Sequence, residues 1–194
     1  MGLPKPTAES VEVRYPSHDA RVIDTSPAGY CIEWASATQS QLISGELIAI
    51  REPQDTRWVL AVIRWIRHHG AIQMGVELLS PRAIPVAILP LQRRGSPSEP
   101  QRALLLPAIE TIAQPAMLIT PRLPFRESQK VQIQRQGVHA TAQLMRRVHM
   151  TESFTQFTFR MLDGYLESTE INMNMESLLG MIGEDESEVP KKRR

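Results

Sequence analysis

The sequence contains few of the residues on which disulfides, nucleic-acid interfaces and membrane spans depend. Its single cysteine, Cys31, cannot form an internal disulfide or a cysteine-rich metal site, and it fits a reducing compartment such as the cytoplasm. A net charge of +1 and an aromatic content of 5% argue against nucleic-acid binding. No run approaches the roughly 18 apolar residues of a membrane span, and the first residues lack the apolar core of a signal peptide. We therefore expect a cytoplasmic protein that has no membrane span.

The sequence also lacks the residue patterns of common enzymes. It contains no Walker loop, no nucleophile elbow and no dinucleotide fingerprint. None of the five histidines forms a helical metal-binding pair, and His68 and His69 are predicted to lie in a hairpin turn. We therefore predict that the protein is not an enzyme and that it holds neither a metal nor a cofactor.

What the sequence does contain is a series of short apolar segments dominated by period-two patterns, which are typical of β-strands. In the first half, turn residues separate six such segments at the close spacing of an antiparallel barrel. These segments are residues 10–15, 20–23, 29–34, 46–50, 58–66 and 72–79. The sequence thus predicts a mainly β protein whose first domain, residues 1–91, is a six-stranded antiparallel β-barrel.

The second half repeats this alternation after a polar, proline-containing segment. Residues 92–102 are predicted to be a linker, and residues 103–183 a second barrel-like β domain. The strand order of the two halves is similar enough to suggest an internal duplication. Apolar residues between Leu166 and Ile182 approximate a helical stripe, which predicts a closing C-terminal helix. Residues 184–194 carry four acidic and then four basic side chains, and this tail is expected to be disordered.

One connection between two predicted strands is rich in small polar residues. Asp24, Ser26 and Gly29 fall between two apolar segments, where short side chains and a flexible backbone can hold the edge of a nucleobase. A carboxylate can accept the N1 and N2 hydrogens of guanine, and a nearby arginine can contact phosphate. The same residues also suit a turn in which Asp24 and Ser26 only satisfy their own backbone. Spacing alone leaves both interpretations open.

Residues Asp24-Thr-Ser-Pro-Ala-Gly29 fit the Asp-x-Ser-x-x-Gly motif, and by this motif the first half resembles a PilZ domain. Val62–Arg67 and Met74–Leu79 look like the late strands of the same barrel. The resemblance covers residues 10–90 and implies a six-stranded barrel in a bacterial cytoplasm. It also implies a ligand, cyclic di-GMP, in a site lined by Asp24, Ser26 and Gly29.

The chain departs from the PilZ pattern in its arginines. PilZ domains carry an Arg-x-x-x-Arg motif before the first strand, whereas Arg14 and Arg21 are separated by six residues here. These two arginines are the candidate substitutes for that pair in the cyclic di-GMP site. Despite this departure, the resemblance implies a non-enzymatic signalling protein that binds cyclic di-GMP.

The missing arginine pair favours an alternative, a degenerate PilZ-like adaptor that does not bind nucleotide. Such an adaptor would act through protein-protein contacts, and a protein partner is expected in either case. An exposed sheet edge in either predicted barrel can also pair with a second copy, which would give a homodimer.

Overall fold

The first half of the chain forms an open antiparallel sheet. The computed structural model describes residues 17–34, 42–69, 71–91, 99–164 and 170–171. In chain order the strands of this sheet are β1 (Arg21–Ser26), β2 (Gly29–Trp34), β3 (Leu47–Ile50), β4 (Val59–His69) and β5 (Ala71–Ser80). Among the described residues the strand order across the sheet is β1-β2-β5-β4-β3, which makes β1 an edge strand of this sheet, and all six of its residues are exposed.

The second half of the chain closes into a six-stranded antiparallel barrel. In chain order its strands are β6 (Ile84–Pro90), β7 (Gln101–Leu106), β9 (Met117–Pro121), β10 (Lys130–Arg135), β11 (Val138–Met150) and β12 (Phe154–Asp163). Around the barrel their order is β10-β11-β12-β9-β7-β6. Two short strands, β8 (Ala108–Ile109) and β13 (Glu170–Ile171), pair in parallel beside it.

The barrel closes because alternate side chains on each strand point into one apolar core. On β6, Ile84, Val86 and Ile88 are buried while Pro85 is exposed. The same alternation places Val131 and Ile133 of β10 inside, together with residues of four other strands. The prediction of a mainly β protein is therefore confirmed, and the described residues contain one closed six-stranded antiparallel barrel. Where the sequence predicted a six-stranded barrel for the first domain, the described residues form a five-stranded sheet.

The sheet and the barrel share an apolar cluster. Val62 and Leu79 of the sheet pack with Leu106, Ile119 and Phe154 of the barrel. The side-chain amide of Gln114 also donates to the carbonyl oxygen of Leu79 at 3.2 Å. This shared packing fixes β4 and β5 against the barrel.

Two strand assignments differ from the sequence prediction. The predicted domain 1–91 includes β6, yet β6 pairs with β7 and β10 and so belongs to the barrel. Strand β7 begins at Gln101, inside the predicted linker 92–102. The alternation of a strand shows which of its faces is buried, but it does not identify the neighbouring strand. The predicted strand 10–15 lies outside the described residues.

The predicted C-terminal helix is not supported by the two residues of that segment which the structure describes. Glu170–Ile171 is an extended strand that hydrogen-bonds to Ala108–Ile109. The described ranges contain no α-helix, only a 3₁₀ turn at Glu110–Ile112. The other residues of the predicted helix and the tail 184–194 lie outside the described residues. A sparse apolar spacing with several small residues does not by itself separate a helix from extended backbone.

Candidate functional site

A groove of about 240 Å³ lies beside the turn that joins β1 to β2. Asp24, Ser26 and Gly29 line it from the hairpin, and Arg64 and Glu77 line it from β4 and β5. The structure therefore brings together the three motif residues that the sequence predicted to share a site. It adds a cation that the sequence analysis had not singled out.

The hairpin is closed by local hydrogen bonds. The Ser26 hydroxyl donates to the carbonyl oxygen of Gly29 at 3.1 Å, and the Thr25 amide donates to Oδ1 of Asp24 at 2.9 Å. These are the bonds of a turn that satisfies its own backbone. Asp24 nevertheless remains exposed on the edge strand, and none of the described residues donates to its Oδ2. The turn thus leaves a carboxylate oxygen facing solvent beside the groove.

Gly29 is required by a close approach of two strands. A Cβ atom at this position would lie 1.9 Å from the carbonyl oxygen of Val76 on β5. Next to it, the Leu78 amide donates to the carbonyl oxygen of Ala28 at 2.9 Å. The glycine of the motif therefore holds the hairpin against β5, which positions Asp24 and Ser26 over the groove.

Arg64 reaches the groove because β4 contains a β-bulge. Ile63 pairs with Val76 and Trp65 pairs with Gly75, so Arg64 is an extra residue between two regular pairs. Its Nε donates to Oε2 of Glu77 at 2.6 Å, and its Nη2 lies 3.2 Å from Nδ1 of His149 on β11. A bulge redirects a side chain without any mark in the apolar pattern, which is why the sequence analysis missed Arg64.

Two aromatic side chains also line the groove. Trp65 covers Gly75 so closely that a Cβ there would lie 2.1 Å from its indole nitrogen, and the Arg67 guanidinium stacks 4.8 Å from the centre of its ring. The Tyr30 hydroxyl lies 3.5 Å from Glu52, and burial, followed by that carboxylate, raises the pKa of Tyr30. The groove thus offers flat apolar surfaces beside its polar groups.

The two arginines proposed from the sequence are not part of the groove as described. Arg14 lies outside the described residues. Arg21 pairs with Glu33 of β2 at 2.5 Å and does not line the groove. Hydrogen bonds from Gln73 and then from Arg21 hold the pKa of Glu33 below its usual range. Arg21 is therefore engaged by a carboxylate on the neighbouring strand.

No group of three or more metal-ligating side chains comes together within the described ranges. The histidine pair predicted for a turn stands at the end of β4, where the chain turns towards β5. No helix in the described part of the chain is long and apolar enough to cross a membrane.

Replacing Ser26 with alanine is expected to destabilise the hairpin by about 1 kcal/mol, because the hydroxyl no longer donates to the Gly29 carbonyl. Urea unfolding followed by tryptophan fluorescence measures this, since all three tryptophans, Trp34, Trp58 and Trp65, lie in or beside the first sheet. The control is Ser153→Ala, an exposed serine in the turn between β11 and β12. Equal stability of the two variants would show that the Ser26 bond contributes nothing.

Comparisons with known proteins match both halves of the chain. Residues 4–85 match the family model of the cyclic-di-GMP receptor FimW, middle PilZ domain, and residues 86–162 match that of the FimW C-terminal beta-barrel domain. The cyclic-di-GMP receptor FimW of Pseudomonas aeruginosa is 43% identical over 148 residues, which make up 75% of this chain and 24% of that protein. The chain thus spans about a quarter of the length of this relative. No solved structure matches the chain.

Proposed function

The chain belongs to the PilZ domain family through residues 4–85, and from this we propose that it is a non-enzymatic receptor of cyclic di-GMP. One observation carries the proposal. The three residues of the Asp-x-Ser-x-x-Gly motif meet in one groove with an arginine and with two aromatic side chains. Carboxylate, guanidinium and flat apolar surface are the groups that recognise guanine and phosphate.

Asp24 is the residue proposed to recognise the guanine base. Its exposed carboxylate can accept two hydrogen bonds from the N1 and N2 donors on the edge of guanine. Ser26 and the Gly29 backbone line the floor beside it. Arg14 and Arg21 remain proposed cationic contacts, and Arg21 reaches the ligand only by leaving Glu33.

The proposal includes the organisation and location of the protein. We divide the chain between Ser80 and Ile84, because within the described residues β6 pairs only with β7 and β10 of the barrel. The two family models meet close to this point, at residues 85 and 86. The receptor needs no cofactor and passes its signal to a protein partner. The unpaired Cys31 fits a reducing compartment, so we place the receptor in the cytoplasm.

Calorimetric titration of the whole chain with cyclic di-GMP and with cyclic di-AMP tests this function. We expect saturable binding of cyclic di-GMP and at least about tenfold weaker binding of cyclic di-AMP, because adenine presents an acceptor where guanine presents the N1 donor. Equal affinities would contradict guanine recognition by Asp24. Absence of binding to either dinucleotide would contradict the receptor function.

Absence of binding would favour the second candidate, an adaptor that acts through protein contacts alone. The engagement of Arg21 by Glu33 favours it, because the site then has one cation fewer for a dianionic ligand. A homodimer formed through the exposed edge strand β1 is part of the same candidate. Sedimentation of the chain at several concentrations measures the dimer directly.

A further inference from the structure

We propose that Arg64 contacts a phosphate of the bound dinucleotide and that His149, a residue of the closed barrel, positions it. Binding of the nucleotide and attachment of the barrel to the sheet then stabilise each other. The inference rests on the proposed function, since it concerns a contact of the same ligand in the same groove. It extends that function to residues outside the motif and to the second domain.

The guanidinium of Arg64 has donors to spare after its two protein contacts. Arginine carries five N–H groups, of which Nε serves Glu77 and one on Nη2 serves His149. Nη1 donates to none of the described residues, and the side chain is 34% exposed where it lines the groove. A phosphate oxygen can therefore be bound without breaking either contact.

His149 acts on Arg64 as an acceptor. Arginine can only donate, so the contact at 3.2 Å requires Nδ1 of His149 to carry the lone pair and Nε2 to carry the proton. The neutral imidazole restrains Nη2 without adding a second cation beside the phosphate. This makes His149 a positioning residue for Arg64.

The barrel holds His149 at a fixed place. Its neighbour Val148 packs against the apolar cluster shared by sheet and barrel. Thr151, two residues after His149, lies so close to Gly45 that a Cβ atom added to Gly45 would be 3.0 Å from the Thr151 Cβ. The end of β11 is therefore anchored on the sheet, and an arginine fixed before binding loses less side-chain entropy when the ligand arrives.

Register shifts in three strands lie beside Asp24, Arg64 and His149 and affect the directions of these side chains. The strand register shifts between Val22 and Asp24 on β1, at Arg64 on β4, and between Arg147 and His149 on β11. Bulges are common beside functional sites because they redirect single side chains. These three register shifts, among others in the same strands, lie at or immediately before a side chain of the proposed site.

Because coupling between two equilibria is reciprocal, the ligand must strengthen the contact that strengthens its own binding. Occupancy of the groove should therefore slow the opening of β11 near His149. Amide hydrogen exchange in residues 147–150 reports this opening without any mutation.

The test is calorimetry with cyclic di-GMP on whole-chain variants. Arg64→Ala is expected to weaken binding at least about tenfold, and His149→Ala about three- to tenfold. His149→Asn should restore affinity to within about twofold, since its amide oxygen can accept at the position of Nδ1. His139→Ala is the control, an exposed histidine at the other end of β11. In the wild-type chain, ligand should slow exchange at 147–150, and in Arg64→Ala saturating ligand should not.

The outcomes separate this inference from the proposed function. If His149→Ala and Arg64→Ala bind as tightly as wild type while Asp24→Ala does not bind, the inference is wrong and the receptor function stands. Unchanged exchange at 147–150 in saturated wild-type protein also overturns it, whether or not a variant folds. A wild-type chain that does not bind the dinucleotide overturns both.

Discussion

Replacing Asp24 with alanine is expected to weaken binding of cyclic di-GMP by at least about 100-fold and to leave the fold intact. The variant removes two charge-assisted hydrogen bonds to guanine, each worth about 1.5–3 kcal/mol. The stability of the folded chain should change by less than about 1 kcal/mol, because Asp24 lies on an exposed strand and, among the described residues, only the neighbouring Thr25 amide donates to it. Calorimetry measures the affinity, and urea unfolding measures the stability.

The matched control is Asp55→Ala. Asp55 is also a turn carboxylate that accepts a nearby backbone amide, that of Arg57 at 2.9 Å, but it does not line the groove. Asp24→Asn should lose as much affinity as the alanine variant. When the amide oxygen accepts one guanine N–H, the amide NH₂ group faces the other guanine donor and cannot accept a hydrogen bond from it. Wild-type affinity in both Asp24 variants would show that the residue serves only its own turn.

The strands were largely predictable because apolar and polar residues alternate along the sequence of a half-buried strand. On β6, Ile84, Val86 and Ile88 show this alternation, although the sequence analysis did not single out the segment. The partner of that strand depends on residues far away in sequence, here on β7 and β10, and no local pattern encodes it. The sequence analysis placed residues 84–90 in the first domain without recognising a strand there, and no local pattern could assign them to the barrel.

The site was predictable only where its chemistry is local. Asp24, Ser26 and Gly29 belong to one hairpin, and their spacing alone places them together. Arg64 and His149 are 85 residues apart and meet through one bulge on β4 and another on β11. A bulge shifts the register by one residue with almost no change in composition, so this contact becomes visible only in three dimensions.

The same contact links the two halves of the proposed signal. A ligand acts on the barrel only if its affinity differs between the states of the barrel, and a direct contact with the barrel's partner residue provides such a difference. Arg64 contacts Glu77 in the sheet and His149 in the barrel while lining the groove. Under the proposed function, the attachment of the barrel to the sheet is the property through which a protein partner would detect bound ligand.

Replacing Gly29 with alanine is expected to destabilise the first sheet by about 3 kcal/mol and to abolish binding of cyclic di-GMP. The added Cβ would lie 1.9 Å from the Val76 carbonyl oxygen, and backbone atoms on both sides cannot move aside as a flexible side chain would. The hairpin must therefore lift from β5, which breaks the hydrogen bond between Leu78 and Ala28 and displaces Asp24 from the groove. Urea unfolding and calorimetry on the same variant measure the two losses.

Gly137→Ala separates this clash from the general cost of removing a glycine. Gly137 has a φ of +82°, yet a Cβ there meets nothing within 4 Å, so the variant bears only the strain of a left-handed backbone, about 1 kcal/mol. Because Gly137 lies in the turn between β10 and β11, its replacement should leave nucleotide binding unchanged. If Gly29→Ala were no less stable than Gly137→Ala, the hairpin would not be held against β5 in solution. The position of Asp24 and Ser26 over the groove would then have no structural basis.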